Sequence, residues 1–399
     1  MTIISNQDLK EELDLINHVE ALAFDRSAAS VGETKAINYI QEELNLGGIE
    51  SRAEYFSWNT PISMLMKTIY LMAIGYLLIF RFILIIVLAF FIKYMFQKTR
   101  KISFVKREES KNVIAKILAK NAEATPPIII FSAHYDSVSS RVPYKVQRVL
   151  LVIIKLIIFP YIGLSIIISI WLTLYILSVT YLNNFIIYMI SILSLITLSA
   201  IIPIFLFIFT SNKSTGSIDN ASGVSILIEL SKLIRNKPLN NFEVLFIWFG
   251  AEEWGLKGSR KFCKKHLKDF KKQYNLERSI NINIDMVGSY IGLLDKSGLI
   301  FKKSINNDLN DILQASANKL NIPIDRYEKV FKPKSDFRSF RIFRRVTKKK
   351  FQIACFHSDK DSKYIHSKID TPDKCSNKNL SDCLEICYDA VSYLDSHFN

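Results

Sequence analysis

The stretch Phe249 to Arg260, FGAEEWGLKGSR, places two adjacent carboxylates, Glu252 and Glu253, directly after an apolar run, FEVLFIWF, that reads as a buried strand. Other apolar runs end in a similar way. IIIFSAHYD closes on His134 and Asp136, INIDMVG carries Asp285, and YIHSKIDTPDK, with His366, follows FQIACF. A further acid, Asp219, stands in GSIDNASG at a helix start. In open α/β sheets ligands bind at the carboxyl ends of the strands, so these residues are candidates to converge. Two histidines and several carboxylates suit a pair of zinc ions, because zinc takes imidazole nitrogen and carboxylate oxygen and one carboxylate can bridge two ions roughly 3.5–4 Å apart. A buried cluster of unpaired acids would otherwise be very costly. Asp136, two residues after His134, can fold back at the strand end, accept the spare ring N–H and hold the ring toward a metal.

Each residue has a plainer reading when taken alone. Glu252 and Glu253 could be an acidic pair favoured by a helix dipole. Asp219 could be an N-cap. His134 could be an ordinary polar strand end and Asp285 a turn acid. His366 has a rival in His357, which lies closer to the end of FQIACF; the following DTPDK favours His366. The basic run Arg338 to Lys350, RSFRIFRRVTKKK, reads as a solvated or headgroup-facing segment.

The elements that must position these residues alternate. Helical spacing covers Asn6 to Glu20, Glu33 to Leu44, Gly223 to Arg235, a segment from about Gly258, Asn307 to Leu320 and Leu380 to His397. Between them lie strands at IESRAEYFSW, NVIAKILAK, PPIIIFSAHYD, FEVLFIWF, SINIDMV and FQIACF. Alternating strands and helices predict one α/β domain, with a mostly parallel mixed sheet sandwiched by helices.

Two apolar blocks interrupt this pattern, at 61–96 and 148–210, so the domain is expected to be built from 1–60, 97–147 and 211–399. A helical span needs roughly 20 apolar residues. The second block therefore predicts a transmembrane hairpin turning at Asn183-Asn184, and the first a short hairpin or re-entrant helix with Arg81 near its turn. Lys67, Arg81, Lys93 and Lys155 are read as snorkelling residues near span ends. Lys98, Arg100, Lys101, Arg141, Lys145 and Lys213 crowd the ends that adjoin the α/β domain, which predicts a multi-pass integral membrane protein with that domain facing the cytoplasm.

Composition agrees with a lipid partner. Hydrophobic residues make up 49% of the 399 and mean hydropathy is +0.17, high for a chain that meets only water. A net charge of +15 suits anionic headgroups. No nucleic-acid-binding pattern accompanies it, so nucleic acid is not expected as a partner. The five cysteines form no C-x-x-C pair and read as reduced, partly buried thiols. The N-terminal stretch has no positively charged start followed by an apolar core, and no cleaved signal peptide is expected.

HYDS, DNASG, AEEWGLKGS, NIDMVG and HSKIDTPDK, in this order, resemble the M28 zinc aminopeptidases and their glutamate-carboxypeptidase-like relatives. The resemblance covers the α/β domain, including GETKAINYIQEEL, and leaves out the apolar blocks. It implies the zinc-dependent exopeptidase fold, a peptide substrate and two zinc ions per chain. Asp219 would bridge the ions, with His134 and Asp285 completing one site and Glu253 and His366 the other. Asp136 would support the site from behind, and Glu252 would be the general base. Two alternatives stay open: single-zinc acyl transfer as in glutaminyl cyclases, and a non-catalytic binding module of the same fold. The chain departs from the pattern where many relatives read Ser-Asp-His; here Ser335-Asp336-Phe337 stands.

Overall fold

The apolar runs become the strands of one sheet, and the polar ends of the central strands meet along one edge of it. The computed structural model describes residues 15–59, 107–121, 123–139, 146, 149, 156, 214–298, 302–329 and 334–397. The strands are β1 (Ser51–Asn59), β2 (Arg107–Ile117), β3 (Ile128–His134), β4 (Glu243–Phe249), β5 (Ile280–Ile284), β6 (Gly292–Ser297), β7 (Lys303–Ser304), β8 (Asp325–Lys329) and β9 (Gln352–Phe356). Their order is β1-β2-β4-β3-β5-β9-β6-β7, with β8 pairing β6. The centre, β4-β3-β5-β9, is parallel throughout. β2 joins β4, and β6 joins β9, in antiparallel fashion. The sheet is thus mixed with a parallel core, which is why every residue of β3, β4 and β5 is buried and the three read as unbroken apolar or mixed runs.

The helices are α1 (Leu15–Ala21), α2 (Val31–Leu46), α3 (Ser222–Asn236), α4 (Lys257–Gln273), α5 (Asn307–Lys319), α6 (Phe337–Thr347) and α7 (Asn377–Ser396). Alternate residues of β3 and β4 serve different faces. Ile128, Ile130, Leu245, Ile247 and Phe249 join Phe262 and Phe270 of α4 and Phe337, Phe340 and Phe343 of α6 in one apolar cluster. Toward α3, Phe131 stacks on Phe246 at 5.4 Å and the Trp248 indole donates to the Val224 carbonyl. Such a ring pair contributes about 0.5–1.5 kcal/mol beyond its burial.

α6 lies within the basic run read from sequence as a solvated segment. Its buried Phe337, Phe340, Phe343 and Thr347 recur at helical spacing between the arginines, so one face of the run belongs to the core. The sequence pattern also leaves out β6, β7 and β8, which are short and carry charged residues such as Asp295, Arg326 and Glu328.

The chain divides into two compact units, Met1–Ser57 with Glu109–Ser139 and Asn212–Asn399, and Trp58–Glu108 with Ser140–Ser211. The candidate site lies wholly in the first. The expected placement as a multi-pass integral membrane protein with a cytoplasm-facing domain is corrected here: among the described residues no helix is long and apolar enough to cross a membrane. The physical reason is visible in α7, whose 20 residues include Lys378, Asp382, Glu385, Asp389 and Asp395. Asp382 and Asp395 are buried against protein partners and Lys378 is exposed, whereas a span would have to place all five charges in lipid. The blocks at 61–96 and 148–210, to which the hairpins were assigned, lie outside the described residues apart from the isolated positions 149 and 156.

Candidate metal centre and active site

Four loops after strands, and one turn before a helix, bring the candidate residues together. His134 is the last residue of β3, and the chain then turns so that its Nδ1 lies 3.1 Å from the backbone oxygen of Asp136. The Asp136 carboxylate stands 3.6 Å from that nitrogen and is turned to other donors. Its Oδ1 accepts the backbone N–H of Glu252 at 2.9 Å and its Oδ2 that of Glu253 at 3.2 Å. One fully buried carboxylate thereby holds the loop after β4.

Asp219 sits in the turn Ser217–Ala221 that leads into α3. The capping role there falls to its neighbour. Asn220 Oδ1 accepts from the Gly223 and Met286 N–H groups at 2.9 and 3.1 Å, and Asn220 Nδ2 donates to the Ile284 carbonyl at 2.9 Å. This ties the turn to the end of β5 and leaves the Asp219 side chain facing the histidines. A Cβ on Gly223 would lie 2.5 Å from both Asn220 Oδ1 and the Ile284 carbonyl oxygen, so glycine alone fits beneath this clamp.

Two triads result, sharing Asp219. Asp219 Oδ1 lies 3.0 Å from His134 Nε2, and Asp285 Oδ1 lies 3.4 Å from the same nitrogen. Asp219 Oδ2 lies 3.2 Å from His366 Nε2, which is 2.9 Å from Glu253 Oε1. In each triad one donor atom per residue falls within 4.8 Å of the others. His357 lies elsewhere, with Nδ1 2.8 Å from the Tyr327 hydroxyl.

The backbone at three of these loops is strained. Ala251, Met286 and His366 hold φ values of 51°, 73° and 57°, a region that costs a non-glycine residue on the order of 1 kcal/mol or more. All three flank or contain a residue of the cluster.

Electrostatics follow from burial and crowding. Burial pushes Glu252 well above the usual carboxylate range, and Glu253 up to about 7. Burial works to lower His134, but Asp136, Asp219 and Asp285 outweigh it and hold the ring well above its ordinary value. His366 behaves alike, with Glu253 and Asp219 raising it to about 10 against burial. Burial acts to raise Asp219, yet the two imidazoles hold it below the ordinary carboxylate range. The cluster is a concentrated negative field that attracts positive charge.

Two carboxyl groups nearby complete the picture. Glu252 is buried and its Oε1 accepts no hydrogen bond. Asp336, at the start of α6, is buried with both oxygens lacking a donor, and burial pushes it up to about 7. Orphaned buried oxygens are costly and call for a cation or a substrate donor. With imidazole nitrogens and carboxylate oxygens converging, the donor set fits zinc. Phe337, where the resemblance led to the expectation of a histidine, is fully buried in the α4–α6 apolar cluster, so this chain uses the position for packing.

Several positioning residues lie outside the sequence reading. Asp370 accepts the Ile218 N–H at 2.7 Å and so joins the His366 segment to the Asp219 turn; DTPDK displayed this acid, but nothing marked its partner. Arg26 is fully buried and donates to the carbonyls of Tyr135, Leu22, Thr215 and Gly216, fastening the chain after β3 to the turn before Asp219. A lone arginine between α1 and α2 gives no local signal of that role.

Residues 205–391 match the model of peptidase family M28. Aminopeptidase YwaD of Bacillus subtilis (strain 168) is 34% identical over 104 residues, which are 26% of this chain and 21% of that protein. The match thus spans about a fifth of the curated relative. Among solved structures, BSAP, a zinc aminopeptidase from Bacillus subtilis, aligns with a TM-score of 0.53 at 15% identity over 95% of this chain and 94% of its own. Fimbriiglobus ruber glutaminyl cyclase aligns with a TM-score of 0.55 at 12% identity, over 96% and 95%. The family match covers a little under half of the chain and makes it similar to peptidase family M28 over that stretch, while the solved structures show a shared fold.

Proposed function

We propose that the chain is a dizinc aminopeptidase that removes N-terminal residues from peptides. The observation that carries this reading is the pair of complete triads sharing Asp219, His134–Asp219–Asp285 and Asp219–Glu253–His366, with Glu252 beside them and outside both. Zinc held there would supply Lewis acidity toward a carbonyl oxygen and would acidify water.

The chain's own residues do the rest. Glu252, buried and with an oxygen free of any donor, is placed to take the proton of a water attacking the scissile carbonyl carbon. As the C–O bond forms and the C–N bond breaks, the same carboxyl group returns that proton to the leaving amine nitrogen. Asp136 keeps Glu252 in place by gripping its backbone, and Arg26 and Asp370 hold the turn that presents Asp219. Asp136 acts by position and touches no reacting atom in this scheme.

Metal analysis of the purified chain tests the proposal. Two zinc ions per chain are expected. One zinc, together with cyclisation of N-terminal glutamine, would replace it with the chemistry named for the Fimbriiglobus ruber structure, and no bound metal would end it.

A further inference from the structure

The net charge of the whole chain is +15, and two neighbouring helices account for nearly all of it. α4 carries eight lysines and arginines and one acid, Asp269; α6 and the three lysines after it carry seven and no acid. The helices pack side by side through Phe270 and Phe343 and through the Ser259 and Ser339 hydroxyls at 2.7 Å, which brings the two basic rows next to each other. Lys265 pairs with Glu54 and Lys349 with Glu277. Around Arg341 the neighbours are like charges: burial lowers it, and Arg344, Arg338 and Arg345 lower it further.

Between the helices lies a groove of about 260 Å³. Leu267, Phe343, Ile342 and Val346 line it, with Arg260 and Lys264 along its α4 side. Ile342 and Val346 are each 51% exposed, on a helix whose aromatic side chains are all buried. Cations gathered beside exposed branched aliphatics repel one another and attract an anionic partner.

We propose that the α4–α6 face docks on an anionic lipid surface, its cations at the phosphate level and Ile342 and Val346 in the apolar boundary beneath. The contact is peripheral and involves no spanning segment. A basic face with aliphatic residues at its centre is the composition of an interfacial lipid-binding helix. A single-stranded nucleic-acid surface would present aromatic stacking platforms, which the described residues of α4 and α6 keep buried. The groove's aliphatic floor gives acyl chains a place that a purely acidic polypeptide does not need.

Vesicle flotation of the full chain tests this, with zwitterionic phospholipid vesicles compared to vesicles containing about one third anionic phospholipid. Each cation near an anionic leaflet is worth about fivefold in partition. The wild type is expected to favour anionic vesicles by at least tenfold, and to lose that preference at high salt. Arg341→Glu/Arg345→Glu/Lys348→Glu should abolish the preference, whereas Arg341→Lys/Arg345→Lys should keep it; Ile342→Ser/Val346→Ser should weaken binding at unchanged salt dependence. Circular dichroism and peptidase turnover of the variants check that the fold is intact. Equal partition on both vesicle types, an unchanged preference in the folded triple variant, or tighter binding to polyglutamate or RNA than to anionic vesicles would overturn the proposal.

Discussion

The Asp136 carboxylate accepts the backbone N–H of Glu252 at 2.9 Å, which binds the loop after β3 to the loop after β4 directly behind the two triads. Because its second oxygen takes the N–H of Glu253, this carboxylate sets the direction of both glutamate side chains at once. Asparagine offers a single acceptor oxygen, so Asp136→Asn leaves one of these buried N–H groups unpaired. Turnover or zinc affinity is expected to fall about 10–100-fold, in line with the loss of partners behind a metal site. Titration of the variant with zinc, alongside its kinetics, checks this; wild-type values for both would remove Asp136 from the account.

Glu252 and Glu253 are adjacent but differ in surroundings. Glu253 Oε1 lies 2.9 Å from His366 Nε2, whereas Glu252 Oε1 is buried without a donor. Glu253→Ala is therefore expected to lower the bound zinc below two ions. Glu252→Ala should keep both ions and lose turnover by about 10²–10⁴-fold. Elemental analysis of the two purified variants decides between these roles, and metal loss in Glu252→Ala would reverse them.

Arg26 joins α1, the chain after β3 and the turn before Asp219 through a fully buried guanidinium. Arg26→Met removes the donor from five carbonyls, those of Leu22, Phe24, Tyr135, Thr215 and Gly216. A loss of about 3–5 kcal/mol in unfolding free energy is expected, as for other broken buried charge networks. Urea unfolding measures it; a loss under 1 kcal/mol would show that the loops hold without this residue.

At Glu229, burial works to raise the carboxyl group, but hydrogen bonds from His18 and Lys232, at 2.8 and 2.9 Å, outweigh it and hold the group below 4.5. A folded-state value below the unfolded one means that the stabilisation is complete above pH 4.5 and disappears as pH falls through the lowered value. Glu229→Gln should thus be less stable than the wild type at neutral pH, with the difference shrinking on acidification below pH 4.5. Thermal unfolding between pH 3 and pH 7 follows it, and a constant difference would contradict the linkage.

The sequence displayed the candidate residues because strand ends are marked by a change from apolar to polar, and FIWFGAEE or IIIFSAHYD makes that change within two residues. The parallel centre of the sheet was legible for the same reason: strands covered on both faces carry unbroken apolar runs. Clamps were not legible, since Asn220, Asp370 and Arg26 act across separations of 64, 152 and 190 residues. The helix α6 was hidden because its arginines outnumber its buried phenylalanines in any linear reading. The multi-pass placement read from composition and charge bias is carried by no described helix, and the blocks at 61–96 and 148–210 lie outside the described residues apart from isolated positions.

Hydrolysis of an aminoacyl anilide with a free α-amino group, measured against its N-acetylated form in wild type and Glu252→Gln, tests the central claim most directly. The zinc-loaded wild type is expected to release aniline from the free substrate and to leave the acetylated one nearly untouched, with Glu252→Gln slower by about 10²–10⁴-fold at unchanged zinc content. Equal cleavage of both substrates, or undiminished activity in Glu252→Gln, would contradict an aminopeptidase that works through this carboxylate.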